Sequence, residues 1–147
     1  MSREQNIAAT RRLIHEGFSL GHVEVCDEIV APDAVEHQRG LGPGREGVKD
    51  TIRTLHTWFD DFELVIEDLV ATEDTVWIRA RGSGVNTGSV FGRLPTGKRV
   101  EITVIDIARF EDGQLVEHWG VPDQLGMLLQ LGLFGRPEPV PAGWTAG

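Results

Sequence analysis

The chain is poor in several things, and each shortage closes off a class of function. There is one cysteine, Cys26, so no intramolecular disulfide can form and no cysteine-based zinc site is possible. No apolar run approaches membrane-spanning length, and Met1-Ser-Arg-Glu-Gln-Asn leads into nothing like a signal sequence. A soluble, cytoplasmic protein is expected. Basic residues are scarce: 14 against 23 acidic ones, for a formal net charge of −9. Phosphate binding needs a basic patch, so neither nucleic acid nor an anionic membrane is the expected partner. No pair among the five histidines has a spacing such as His-x-x-x-His, so no zinc or iron site is expected. Ser83 and Ser89 lack the G-x-S-x-G frame, and Cys26, beside Val25 in a short amphipathic segment, reads as a buried small residue.

What is present is an ordinary globular balance, 40% hydrophobic and 25% charged over 147 residues, enough for one domain with a real core. Residues 1–134 read as that domain, and 135–147, rich in proline and glycine, as an extended tail. The dominant stretch is a long β-hairpin. Val100 to Phe110 is a nearly continuous apolar arm, Asp112-Gly113 is a strong turn signal, and Gln114 to Asp123 is the return arm, stopped at Pro122.

Upstream, Ile7, Ile14 and Phe18 fall at helical spacing across Asn6 to Leu20, and Val23 to Val30 reads as a second short helix. Ala34 to His37 is a short predicted strand. A Gly-rich stretch, Gly40 to Gly47, leads into a helix whose face is Val48, Ile52, Leu55 and Phe59, broken by Asp60-Asp61. Within it, Gly42-Pro-Gly-Arg-Glu-Gly47 spells G-x-G-x-x-G, but antiparallel hairpins follow rather than a parallel βαβ unit, so it reads as a sharp turn and not as a dinucleotide site. Phe62 to Ala71 and Thr75 to Gly84 are two further strands, Val85 to Arg99 a long loop, and Asp123 to Leu131 a last helix. Helices first and a meander afterwards predict an α+β fold, with N-terminal helices packed on a curved antiparallel sheet around an apolar pocket.

Two acids stand out in this apolar setting. Strict alternation puts Val104, Asp106 and Phe110 on one sheet face. On the return arm Trp119, Val121 and Asp123 share parity, while His118 points the other way unless a bulge intervenes. Asp106 therefore reads either as a pocket acid or as a satisfied structural one, and Asp123 either as an acid/base or as the N-cap of the last helix. A carboxylate facing an apolar pocket has its pKa raised and can take a proton from carbon. Trp119, Phe59, Val104 and Phe110 are the predicted walls of the pocket, and His37 is a candidate donor to a developing oxyanion.

Pro32-Asp33, His37, Gly42 to Gly47, Gly88 with Gly92, Pro95-Thr-Gly-Lys98 and above all Phe110-Glu-Asp-Gly-Gln-Leu-Val-Glu-His-Trp119 with Asp123 resemble the SnoaL-like polyketide cyclases, within the larger NTF2-like (cystatin-cone) fold. The resemblance implies a cone without cofactor or metal, assembled as a homo-oligomer through its open sheet face. It implies intramolecular aldol ring closure of a polyketide-type substrate with one Asp as acid and base. Asp123 sits where that Asp is expected, and Asp106 takes a place where such proteins often carry His or another polar group. The catalytic set that follows is Asp123, Asp106 and His37. The alternatives are hydration, epoxide opening or cofactor-independent hydroxylation in the same pocket, or a non-catalytic small-molecule binding module.

Overall fold

A computed structural model describes residues 2–134 and 142–143. The expected tail, 135–147, lies outside the described residues apart from Ala142 and Gly143.

Ser2 caps the first helix, α1 (Arg3–Arg12), in a reciprocal box with Gln5, and the helix continues as a π-helical segment, Leu13–Ser19. A short helix, α2 (Val25–Ile29), runs directly into strand β1 (Val30–Glu36). Helix α3 (Gly44–Trp58) follows the Gly-rich stretch. Gly44 adopts φ +72°, with its α-carbon so close to the Pro32 carbonyl that a side chain has no room, which lets the chain turn sharply into the helix. The remaining elements are β2 (Phe59–Ala71), β3 (Thr75–Asn86), β4 (Arg99–Glu111), β5 (Gln114–Pro122) and α4 (Gln124–Leu131).

The strands form one sheet in the order β1-β5-β4-β3-β2. All neighbours are antiparallel except β1, which runs parallel to β5, so the sheet is mixed and not purely antiparallel as expected. Pro32 is tolerated in β1 because that strand lies at the edge. Asp112 and Gly113, at φ +47° and +80°, make the hairpin turn between β4 and β5. Phe59, read from sequence as the end of the α3 face, is instead the first residue of β2, and it is still buried.

The helices cover the concave face. Leu13, Ile14, Val25, Ile29 and Ile52 pack onto Val76, Ile78, Ala80, Ala108 and Phe110. A second cluster joins Met127 and Leu131 of α4 to Phe59, Val90 and Val100. Strand β5 ends where Pro122 pairs with Val104, so Glu101, paired with Ser83 of β3 on one side, has no strand neighbour on the β5 side. The Gln130 amide fills that gap, accepting from Glu101 N (2.8 Å) and donating to Glu101 O (2.9 Å). These two clusters leave an open volume between them, over the middle of β4 and β5.

Candidate active site

That volume is a cavity of about 780 Å³ bounded by α3, the loop after β1, and the concave faces of β3, β4 and β5. Most of its wall is apolar, and Val100, Ile102, Val104 and Asp106 follow one another along its β4 side. The inward placement of Val104 and Asp106 is that expected from alternation.

The return arm differs. Arg109 pairs with Glu117, but Phe110 pairs with Leu115, so Val116 is an extra residue with no partner on β4. This bulge shifts the parity of everything after it by one. His118 then pairs with Ala108, and Gly120 with Asp106, on the concave face. Trp119 pairs with Ile107 on the convex face.

His118 consequently stands between two acids. Its Nε2 lies 2.9 Å from Asp106 Oδ1, and its Nδ1 lies 2.7 Å from Glu36 Oε1. Glu36 comes from β1, paired directly with His118, and it also accepts the Gln38 backbone N–H at 2.8 Å. The side chains are only 7% (Glu36), 17% (Asp106) and 18% (His118) exposed. Burial disfavours the imidazolium, but the hydrogen bonds and charges of Asp106 and Glu36 outweigh it and push the His118 pKa up to about 9. At neutral pH both ring nitrogens therefore carry protons and donate, one to each carboxylate. Asp106 Oδ2 accepts no hydrogen bond from the described residues.

Gly120 makes room for this arrangement. A Cβ there would overlap Gln38 Oε1 and lie 2.6 Å from Asp106 Oδ1, so a side chain at 120 would displace the acid or the amide.

The other predicted site residues are distributed differently. Phe59 and Val104 line the cavity. Phe110 lies on the same sheet face but is sealed in the core, 3% exposed, beyond the cavity. His37 borders the cavity, but its ring stacks on Trp119 (centroids 4.7 Å, planes 7° apart) and its Nε2 bonds Glu117 Oε2 at 2.7 Å. Trp119 itself is turned away by the Val116 bulge. The same shift puts Asp123 outside the cavity, where its Oδ1 accepts from Gly126 N at 2.9 Å as the N-cap of α4. The reading of His118 as pointing away from the pocket, and of Trp119 and Asp123 as pointing into it, is thus reversed by one bulged residue.

Glu36 and His118 were missed as a pair. A signal existed: Val-Glu-His occurs twice, at 35–37 and 116–118. The two copies lie side by side, offset by one residue, so that Glu36 meets His118 on one face and Glu117 meets His37 on the other. Among the described residues, no group of three or more His, Cys, Asp or Glu side chains converges as metal ligands do.

Comparison with known proteins agrees with this architecture. The profile of the SnoaL-like polyketide cyclases matches residues 8–131. The chain belongs to the SnoaL-like polyketide cyclase family. Aklanonic acid methyl ester cyclase DauD of Streptomyces sp. (strain C5) is 30% identical, over 94% of this chain and 86% of that protein. Among solved structures, IdmH of Streptomyces antibioticus, described as a putative polyketide cyclase, superposes with a TM-score of 0.77 at 35% identity, covering 87% of this chain and 99% of that one. TsrD of Streptomyces laurentii superposes with a TM-score of 0.84 at 27% identity, covering 91% and 99%. The α+β fold of this chain is shared by both structures.

Proposed function

We propose that this chain is a polyketide cyclase that closes a ring by intramolecular aldol condensation, with Asp106 as the acid and base. The observation that carries the reading is the Asp106 carboxylate, held by His118, which Glu36 holds in turn, with its second oxygen accepting no hydrogen bond from the described residues in a mostly apolar cavity. Family membership supplies the reaction class, and the named relative acts on an aklanonic acid methyl ester.

In this reading Asp106 Oδ2 takes a proton from a carbon flanked by carbonyls. The resulting enolate forms a carbon–carbon bond to a second carbonyl of the same molecule. The protonated Asp106 returns its proton to the new alkoxide, so the enzyme ends as it began. The His118 N–H bond to Oδ1 fixes the carboxylate's orientation and stabilises its charge between turnovers. The apolar walls hold a flexible chain folded near its ring-closing shape and keep water from the enolate.

Aklanonic acid methyl ester is the first substrate to try. Asp106→Asn should lower its turnover by about 10²–10⁴-fold with an unchanged circular dichroism spectrum. Asp123→Asn keeps a good helix cap and should keep turnover within about twofold. Full activity in the Asp106 variant, or loss confined to the Asp123 variant, rejects the assignment.

We also infer that a second copy docks on the convex sheet face, where Val70, Trp77, Ile105 and Val121 are exposed together on β2, β3, β4 and β5. Sedimentation equilibrium on Trp77→Lys should show a shift toward monomer, and a wild-type protein that is monomeric excludes the interface.

A further inference from the structure

Asn86 ends β3 fully buried, and its side chain ties down both ends of the loop leading to β4. Its Nδ2 donates to Trp58 O (3.1 Å) and Gly88 O (2.9 Å), and its Oδ1 accepts from Thr96 N (2.8 Å) and Thr96 Oγ1 (3.0 Å). At the foot of the loop, Gly88 packs so tightly on the Thr57 carbonyl that any side chain would overlap it. A loop fixed this firmly at its base holds its outer residues in a set place.

Those outer residues are divided. Val90 is plugged into the α4 cluster, 1% exposed. Phe91 then turns outward with φ +50°, a region that bulky residues rarely adopt. The residue is left 56% exposed at the rim of the cavity, with its ring edge-on to Trp58 and centroids 5.2 Å apart. Behind Trp58 the series continues inward to Phe59 (6.4 Å) and on to Phe62 (6.4 Å, planes 29° apart). All four rings line the cavity. An exposed phenyl held in an unfavourable backbone conformation adds little to the core of the free protein, and strain of this kind concentrates at ligand clamps.

We propose that Phe91 and Trp58 form an aromatic clamp at the cavity mouth that grips the fused rings of the substrate and sets how many rings are accepted. The fused-ring substrate class rests on the ring-closing reading above, whereas the clamp itself is measurable without turnover. Phe59 packs with Val100, six residues and roughly 20 Å along β4 from Asp106. A molecule whose closed rings sit at the aromatic end therefore extends its open chain toward the carboxylate.

Titration calorimetry with two probes tests this: alizarin, with three fused rings, and acetophenone, with one. Phe91→Ala should weaken alizarin by about tenfold and acetophenone by about twofold or less, and Phe91→Trp should restore alizarin binding. Wild-type protein that does not bind alizarin, a Phe91→Ala variant that binds it normally, or equal losses for both probes overturns the clamp. The two proposals fail separately. Normal turnover by Asp106→Asn with a ring-selective loss in Phe91→Ala removes the catalytic assignment and keeps the clamp. An inactive Asp106→Asn enzyme with normal alizarin binding by Phe91→Ala does the reverse.

Discussion

The two faces of the sheet where β1 meets β5 carry nearly the same chemistry in opposite surroundings. On the concave face His118 lies between Glu36 and Asp106; on the convex face His37 bonds Glu117, which also accepts from Arg109 Nε at 2.9 Å. Both histidines and two of the three acids, Glu36 and Glu117, come from the same repeated tripeptide. Inside, the histidine is 18% exposed and, among the described residues, no arginine or lysine shares the pair, so the imidazolium is held by two carboxylates that have little water to turn to. Outside, His37 is 40% exposed and Arg109 supplies a permanent positive charge, which together with the His37 hydrogen bond holds the Glu117 carboxyl below its ordinary range. A histidine–carboxylate pair is thus a buried charge cluster bordering the cavity on one side and a surface clasp on the other. Burial and the neighbouring charge decide which.

Removing the inner histidine should have the larger effect. His118→Ala leaves Glu36 and Asp106 facing each other without their shared proton donor, and should cost about 3–5 kcal/mol of stability. It should also remove most turnover, because Asp106 loses its orientation. The pH dependence follows from the raised pKa. The contribution of His118 to stability is complete below its unfolded value of 6.5 and is lost as pH rises through about 9. Wild-type melting temperature should therefore fall over roughly pH 7 to 10 more steeply than that of the variant. Parallel curves from differential scanning calorimetry would show that the inner pair is no more coupled to folding than the outer one.

The outer pair gives the smaller effect. His37→Ala should lower stability by about 1 kcal/mol or less in urea titration, mostly from the lost Trp119 stack, and leave kcat within about twofold. A large fall in kcat with unchanged stability would move His37 into the chemistry and erase the contrast between the faces.

Much of this is legible in the sequence. The Asp112-Gly113 turn, the helical spacing that runs into α3, and the alternation that turns Val104 and Asp106 inward are local properties, fixed by backbone sterics and periodicity. The reading failed at Val116. A bulge is an insertion into a pairing, and nothing about Val116 taken alone announces that it has no partner. The failure then carried to His118, Trp119 and Asp123, because strand parity transmits one error to every later residue. Phe59 lines the cavity although it does not end the α3 face: α3 passes into β2 with no loop, and the same buried ring serves either element.

The α+β class, the long hairpin, the family resemblance and an acid, Asp106, on an apolar face are all legible along the chain. Each rests on local spacing or on motifs in chain order, and none needs to know which distant strands pair. The partners of that acid are set by the fold. Glu36 and His118 are far apart in sequence and meet because β1 lies parallel to β5 at an offset of one residue, while the Val116 bulge turns His118 toward them. Register between distant strands is set by the packing of the whole sheet, and here it turned the glutamate of one Val-Glu-His copy and the histidine of the other toward the cavity, and left their counterparts, His37 and Glu117, paired on the outer face.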